Sequence, residues 1–284
     1  MADYKVDLQD MNFLLDDVFA VANDWETMPK LSEVVDADTA KAILDEAAKL
    51  TENLIAPNLR AADEEGIHFS NGEVTTPKGY KEQFAELAAG GWVGVTASEE
   101  FGGMGLPKVL SAQYEEMMCA ADVAFSLYSG LTAGAIIALD SHASPELKER
   151  YLPNMVSGKW TGSMCLTEPH AGTDLGIIRT KAEPEADGSY RLTGTKIFIT
   201  GGEHDLTENI VHLVLAKLPD APAGTRGISL FVVPKFLVND DGSVGERNAV
   251  VAGSVEHKMG IHGSATCVMN FDGAQGWLVG EANR

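Results

Sequence analysis

The sequence predicts an α+β protein, in which an all-helical N-terminal domain (residues 1–157) precedes a small antiparallel β-barrel domain (residues 158–278). Two patterns lead to this prediction. Apolar residues recur at helical spacing up to Pro153, and short strand-like runs separated by turn-forming clusters follow it. With 284 residues and 45% hydrophobic residues, the chain is long enough to bury the cores of two domains.

The helices of the first half are predicted from apolar stripes and from their end signals. Asp38 is a suitable N-cap for the second helix, and Gly90 stops the third. Two long apolar helices are expected to meet near Asp122, and Ser144 followed by Pro145 opens the last helix. The predicted helical regions are residues 7–23, 38–57, 78–90, 108–143 and 144–152.

The second half is predicted to be a small barrel or sandwich, because seven short strand-like runs follow one another closely. Clusters such as 186–189 and 239–242, rich in Asp, Asn and Gly, mark turns between them. The predicted strands are residues 160–166, 179–182, 190–193, 196–200, 210–215, 227–233 and 266–271.

Composition argues against several classes of function. Nucleic-acid binding needs a cluster of basic residues, and the net charge of −21 argues against one. We expect no apolar run to approach about 18 residues and therefore no membrane span. The acidic N-terminus without a signal-peptide pattern favours the cytoplasm. Cys119, Cys165 and Cys267 are widely spaced among apolar neighbours, which predicts reduced core thiols. The spacing of the histidines predicts no metal site.

Two stretches carry the chemistry of the second half. Residues 164–175 begin as an alternating strand and break into a turn at Glu168-Pro169. In residues 196–202, a period of two places Phe198 and Thr200 on one face of a strand. An aromatic ring beside a hydroxyl suits a flat heterocycle that needs packing and a hydrogen bond. A hairpin corner of an ordinary β-domain would give the same pattern, so the residues alone leave both interpretations open.

The sequence Met-Cys-Leu-Thr-Glu-Pro-His-Ala-Gly-Thr-Asp-Leu at 164–175, followed by Gly-Thr-Lys-Ile-Phe-Ile-Thr at 194–200, resembles the paired flavin signature of the acyl-CoA dehydrogenases. The resemblance extends over most of the chain, in the same order. It includes residues 80–81, 90–92, 100–107, 256–264 and 278–281. It is nearest to the longer bacterial branch, which includes enzymes acting on methylthio-substituted propionyl-CoA.

The resemblance implies that FAD lies against the β-domain. The residues that it assigns to FAD are Met164, Leu166 and Thr167 at the flavin ring, Gly172 and Thr173 near the pyrophosphate, and Phe198, Ile199 and Thr200 beside the ring, with the Thr200 hydroxyl at the reactive nitrogen. The residues that it assigns to the acyl-CoA substrate are Thr173, Tyr128, Ser129, Gly130 and Ser264. It gives Glu168 a turn-fixing role and Asp174 a capping role.

The implied reaction is α,β-dehydrogenation of an acyl-CoA thioester, with electron-transferring flavoprotein as electron acceptor. In the family, the catalytic base is a Glu of a C-terminal helical bundle. Residues 279–284 would be the start of that bundle, so we expect an inactive fragment with no catalytic base of its own. Such a fragment should bind FAD weakly or not at all, and the full-length protein should form a homo-oligomer. Alternatives are an acyl-CoA oxidase or flavin monooxygenase on the same scaffold, and a non-catalytic CoA-binding scaffold.

Overall fold

The computed structural model describes residues 4–283 of the chain. Its first half is mainly helical, as predicted. The helices are α1 (Leu8–Phe13), α2 (Val21–Thr27), α3 (Ala37–Leu50), α4 (Leu59–Glu65), α5 (Tyr80–Ala89), α6 (Lys108–His142) and α7 (Pro145–Val156). Short π-helical segments extend α1 and α3, over Leu14–Val18 and Thr51–Ile55.

Two predictions for this half are wrong in detail. Residues 7–23 do not form one helix, because Ala20 takes a left-handed conformation (φ 48°) between the π-helical segment and α2. The half is also not all-helical. An antiparallel hairpin of β1 (His68–Ser70) and β2 (Glu73–Thr75) turns at Asn71-Gly72. Both turn residues have positive φ, as a type I′ turn requires.

Helix α6 is broken where the sequence predicts two helices to meet. Asp122 has φ −161° and ψ 97°, which is non-helical backbone. Its Oδ1 accepts a hydrogen bond from the Phe125 amide (3.1 Å), and its Oδ2 accepts one from the Tyr80 hydroxyl (2.8 Å). The side chain therefore caps the second half of α6 and ties the break to α5.

The expectation of no long apolar run fails at α6. By length and composition alone, this helix is long and apolar enough to cross a membrane. Half of its most apolar window is buried inside the protein, however, as in the core helix of a soluble protein. The break at Asp122 also divides it, so α6 is built as two packed core helices.

The second half is built on a seven-stranded sheet with the order β10-β11-β5-β4-β6-β3, in which β7 pairs with both β6 and β11. Strands β8 and β9 form a separate hairpin. The strands are β3 (Trp160–Cys165), β4 (Lys181–Pro184), β5 (Tyr190–Thr200), β6 (Asn209–Lys217), β7 (Ile228–Pro234), β8 (Phe236–Val238), β9 (Val244–Arg247), β10 (Val250–Val255) and β11 (Thr266–Val279).

The sheet is mixed, whereas the sequence predicts a purely antiparallel one. Strand β3 pairs in parallel with β6, from Trp160 opposite Asn209 to Cys165 opposite Val214. Strand β4 also meets β6 in parallel, at Lys181 and Lys217. Two strands that pair in parallel need a long connection, and the chain between β3 and β6 contains the turn at Glu168 and strands β4 and β5.

The helical half and the sheet share one packed interface along the second half of α6. The Gly162 amide of β3 donates to Thr132 Oγ1 (3.0 Å). The Tyr128 hydroxyl donates to the Gly263 carbonyl (3.0 Å) and accepts from the Ala265 amide (2.8 Å). These contacts hold the strand before the predicted flavin turn and the loop before β11 against the same helix.

Candidate functional site

The structure brings the two predicted motif stretches together. The Ile197 amide donates to the Thr167 carbonyl (2.9 Å). Beside it, Nζ of Lys196 donates to the Leu166 carbonyl (3.0 Å). The turn that follows β3 therefore lies against the end of β5, and residues 166–168, which we call the corner, share an edge with residues 196–198.

Glu168 anchors the corner. Its side chain is buried, and its carboxylate accepts hydrogen bonds from Arg179 N (2.7 Å), Thr180 N (2.9 Å), Thr180 Oγ1 (2.6 Å) and Lys196 Nζ (2.9 Å). Burial by itself raises the pKa of this carboxyl, but the donors from Thr180, Arg179 and Lys196 outweigh burial and hold the pKa below its ordinary value. Glu168 is therefore a charged structural residue, which confirms its predicted turn-fixing role.

A β-bulge presents Phe198 to solvent. Met269 of β11 pairs with Lys196 and Cys267 pairs with Ile199, so two residues of β5 oppose one residue of β11. Phe198, one of these two, has φ 59°, and its ring is 58% exposed. The expected strict alternation fails here: Lys196 is fully buried, although a period of two would place it on the same face as Phe198.

Three threonine hydroxyls around the corner are free to meet a ligand. Thr167 and Thr200 are half-buried and Thr173 is exposed, and none of the three hydroxyls makes a hydrogen bond within residues 4–283. Gly172 is exposed beside Thr173. Asp174 Oδ1 accepts from the Gly176 amide (2.9 Å), which confirms its capping role.

The other predicted flavin residues differ in exposure. Met164 and Leu166 are partly exposed at the end of β3 and in the corner. Ile199 is buried at 2% exposure, so the whole residue packs into the core and does not share the exposed surface of its neighbour Phe198.

A cavity of about 260 Å³ lies in the helical half, between the two parts of α6 and the segment after α5. Ser129 and Gly130, two of the predicted substrate residues, line it, and their role in substrate binding stays a prediction. A methyl group added at Gly130 would meet no atom within 4 Å, so this wall is open. Glu115 also lines the cavity, but it is half-exposed and forms an ion pair with Lys108.

The other three predicted substrate residues lie elsewhere. Thr173 is exposed in the turn after the corner and does not line this cavity. Tyr128 is buried and does not line this cavity, because its hydroxyl is used to hold Gly263 and Ala265. Ser264, between those two residues, is fully buried, and its hydroxyl has no partner in the described part of the chain. Cys165 and Cys267 are core thiols as predicted, whereas Cys119 is exposed and lines the cavity, so that prediction is wrong for one of the three.

The sequence reasoning missed Lys196 as a site residue. The available signal was a lysine directly before the apolar run of residues 197–199, four residues before the Thr200 expected at the flavin. It also missed Thr180, which no pattern distinguishes. For metals, residues 4–283 hold no group of three or more His, Cys, Asp or Glu side chains placed to bind an ion, and the absence of a metal site stays a prediction.

Comparisons with known proteins identify the family of the chain. Two family models match the chain: the acyl-CoA dehydrogenase N-terminal domain over residues 37–159, and the acyl-CoA dehydrogenase middle domain over residues 163–274. A 3-methylmercaptopropionyl-CoA dehydrogenase of Ruegeria pomeroyi is 45% identical over 99% of this chain and 47% of its own length. The chain spans about half the length of the curated relatives that it matches.

Two solved structures share the fold. An acyl-CoA dehydrogenase of Bacillus anthracis complexed with FAD has a TM-score of 0.70 and 26% identity, covering 88% of this chain and 38% of that chain. A structure described as the electron transferring flavoprotein of Acidaminococcus fermentans has a TM-score of 0.69 and 25% identity, covering 86% of this chain and 58% of that chain. Since the two domain models follow one another along most of the sequence, the chain belongs to the acyl-CoA dehydrogenase family.

Proposed function

We propose that this chain forms the flavin- and acyl-binding part of an FAD-dependent acyl-CoA dehydrogenase. The observation that carries the proposal is the contact between the corner and the end of β5, through Thr167 and Ile197. FAD binding is a property of the family, and the relative from Bacillus anthracis is complexed with FAD.

The residues at the corner fit a flavin. The exposed ring of Phe198 offers a face for packing against a flat heterocycle. The hydroxyls of Thr167 and Thr200 have no partner within residues 4–283, so each is available to the polar edge of the ring. The exposed backbone at Gly172 and Thr173 can approach a pyrophosphate without bringing a counter-charge. Met164 and Leu166, both partly exposed, complete the contact surface, and the buried Ile199 supports it from the core.

The cavity beside α6 suits the acyl group of a CoA thioester. Its apolar walls and volume of about 260 Å³ favour a small-to-medium acyl chain, with Ser129 and Gly130 on one side. In this proposal the exposed Thr173 approaches the CoA arm, whereas Ser264 is fully buried and its predicted substrate contact is not proposed. Tyr128 acts from behind by holding the loop that carries Ser264.

The proposed reaction is α,β-dehydrogenation. FAD, when bound, accepts the hydride that leaves the β-carbon of the acyl group. A carboxylate base must remove the α-proton in a water-poor pocket. Among the residues described, the carboxylate that lines the cavity is Glu115, and its exposure and its ion pair with Lys108 do not suit that task. That the base does not come from these residues stays a prediction.

The electron acceptor, the oligomeric state, the cellular location and the closure of the sheet into a barrel are also proposals. Electron-transferring flavoprotein is the proposed electron acceptor, as the resemblance to the acyl-CoA dehydrogenases implies. We also propose a homo-oligomer in the cytoplasm. For the sheet, the pairing of β7 with both β6 and β11 supports the small barrel expected from the sequence.

FAD titration tests the proposal directly. We expect weak but saturable binding, measured by flavin fluorescence at FAD concentrations up to about 1 mM. This range detects a Kd as weak as about 1 mM, which corresponds to a binding free energy of about −4 kcal/mol. The Thr200→Val variant should raise the Kd about fivefold, because one hydrogen bond contributes about 1 kcal/mol. Thr193→Val, an exposed position on the same strand, should leave the Kd unchanged. No saturation for the unmodified chain would contradict the proposal.

A further inference from the structure

Lys196 is a fully buried lysine whose ammonium is directed at the corner. Within residues 4–283 its Nζ has two hydrogen-bond partners, the Leu166 carbonyl (3.0 Å) and Glu168 Oε1 (2.9 Å). Both partners belong to the corner, and neither belongs to the sheet that surrounds the lysine. The side chain therefore connects strand β5 to the turn that follows β3.

The buried ion pair of Lys196 with Glu168 is poorly explained by a contribution to the stability of the fold. Replacing a buried ion pair by apolar side chains of similar volume is often neutral or stabilising, because desolvation of the two charges offsets their attraction. Glu168 already accepts three further hydrogen bonds from Arg179 and Thr180. What Lys196 adds is geometric: it fixes the distance between the Leu166 carbonyl and the backbone of β5.

The same lysine lies at the start of the bulge that presents Phe198. Lys196 pairs with Met269, and the two residues after it oppose a single residue of β11. The bulge turns the Lys196 side chain inward and the Phe198 ring outward. The inward side chain holds the corner, and the outward ring lies two residues further along the strand. One bulge thus controls both edges of the proposed flavin site.

We infer that Lys196 is a positioning residue for the flavin: its ammonium ties the corner to the bulge, so that Thr167 on one side and Phe198 on the other keep a fixed separation. This inference rests on the proposed function. It assigns to Lys196 no contact with the cofactor or the substrate.

Substitution of Lys196 by Met tests the inference, since Met keeps most of the length of the side chain and removes the ammonium. The double variant Glu168→Gln/Lys196→Met also removes the buried carboxylate charge, so it keeps the test valid if the single variant folds poorly. Leu192→Ala is the matched control, because Leu192 is a fully buried residue near the other end of β5. The measurements are the Kd for FAD, the visible circular dichroism of the bound flavin and the Tm.

We expect both Lys196 variants to raise the Kd for FAD on the order of tenfold. Loss of a residue that orients the groups in direct contact with a bound metal has an effect of this size. Both variants should also change the visible circular dichroism of the flavin. Leu192→Ala should lower the Tm and leave the Kd and the flavin spectrum unchanged. The inference is overturned if the folded Lys196 variants bind FAD like the unmodified chain, or if Leu192→Ala raises the Kd equally. An unmodified chain that binds no FAD overturns the proposed function and this inference with it.

Discussion

Two buried histidines that contact side chains of strand β3 are held neutral. His204 Nδ1 accepts from the Leu206 amide (3.2 Å), so its Nε2 carries the proton and donates to Thr161 Oγ1 (2.8 Å). His212 Nδ1 lies 2.7 Å from Ser163 Oγ. Burial, reinforced by the nearby positive charge of Lys235, lowers the pKa of each imidazole to about 3.

These pKa values predict acid sensitivity. The unfolded imidazole takes up its proton near pH 6.5, whereas the folded one does so only near pH 3. The stability that depends on neutral histidine is therefore fully present above about pH 6.5 and is lost as the pH falls towards 3. In this window, each histidine should lower the free energy of unfolding by about 1.4 kcal/mol for every unit by which the pH falls.

Urea unfolding at several pH values measures this dependence. His212→Asn places an amide near the position of Nδ1 and removes the titrating group, so its slope should be smaller by the contribution of one proton. The difference between the two slopes isolates His212 from the carboxylates that titrate in the same range. Equal slopes for the two proteins would show that His212 does not carry the effect.

The contact between residues 164–175 and 196–202 was predictable through the resemblance to the acyl-CoA dehydrogenases, in which the two stretches form a paired flavin signature. The bulge was not predictable. It depends on the pairing of β5 with β11, a strand about seventy residues away, and local periodicity contains no information about that register. The burial of Lys196 and the outward direction of Phe198 follow from the bulge, and so neither was predicted.

At the scale of elements, the break in α6 shapes the cavity. Its two halves diverge at Asp122, and residues from both halves line the space that we assign to the acyl group. The sequence indicates the location of the break, whereas the contact of Asp122 with Tyr80, forty-two positions earlier, depends on tertiary packing. The hairpin at Asn71-Gly72 had a sufficient local signal, but its strands are only three residues long.

Asp122→Ala should therefore destabilise the protein by about 2–3 kcal/mol, because it removes a helix cap and leaves the buried Tyr80 hydroxyl without its acceptor. Asp122→Asn is the matched variant. Its amide oxygen can still cap Phe125, and the Tyr80 hydroxyl can rotate to accept from the amide group. We expect its loss to remain below about 1 kcal/mol. Urea unfolding followed by far-ultraviolet circular dichroism measures both, and equal losses would contradict the assigned role.

At the scale of the whole molecule, Tyr128 joins the helical half to the loop before β11. Tyr128→Phe leaves the Gly263 carbonyl and the Ala265 amide without their partner in a buried site, at a cost of about 2–4 kcal/mol. Tyr114→Phe is the control, since the buried Tyr114 hydroxyl has no hydrogen-bond partner in the described structure. Its removal should change stability by less than about 1 kcal/mol.

Thermal unfolding with separate probes for helix and for tertiary packing measures both tyrosine variants. We expect one common transition for the two halves in each protein, with the Tm lowered clearly only in Tyr128→Phe. If Tyr128→Phe and Tyr114→Phe lowered the Tm equally, the hydrogen bonds to the loop would not be the reason.

The order of a helical half followed by a strand-rich half was predictable, since composition and periodicity change at one point of the chain. The parallel pairing of β3 with β6 was not, because side-chain alternation is the same in parallel and antiparallel strands. The domain boundaries at residues 157 and 278 stay predictions. Helix α7 ends at Val156, β3 begins at Trp160 and β11 ends at Val279.

The wide separation of pairing strands has a consequence for biosynthesis. Strand β3 leaves the ribosome well before β6, its parallel neighbour, and the bulge at Phe198 forms only against Cys267 and Met269 of β11. Translation adds about 5–20 residues per second. Several seconds therefore pass between synthesis of residues 164–175 and synthesis of β11, the strand that forms the bulge in residues 196–202. During that interval strands β3 and β5 lack these partners, so the nascent chain exposes unpaired strand edges, which favour aggregation.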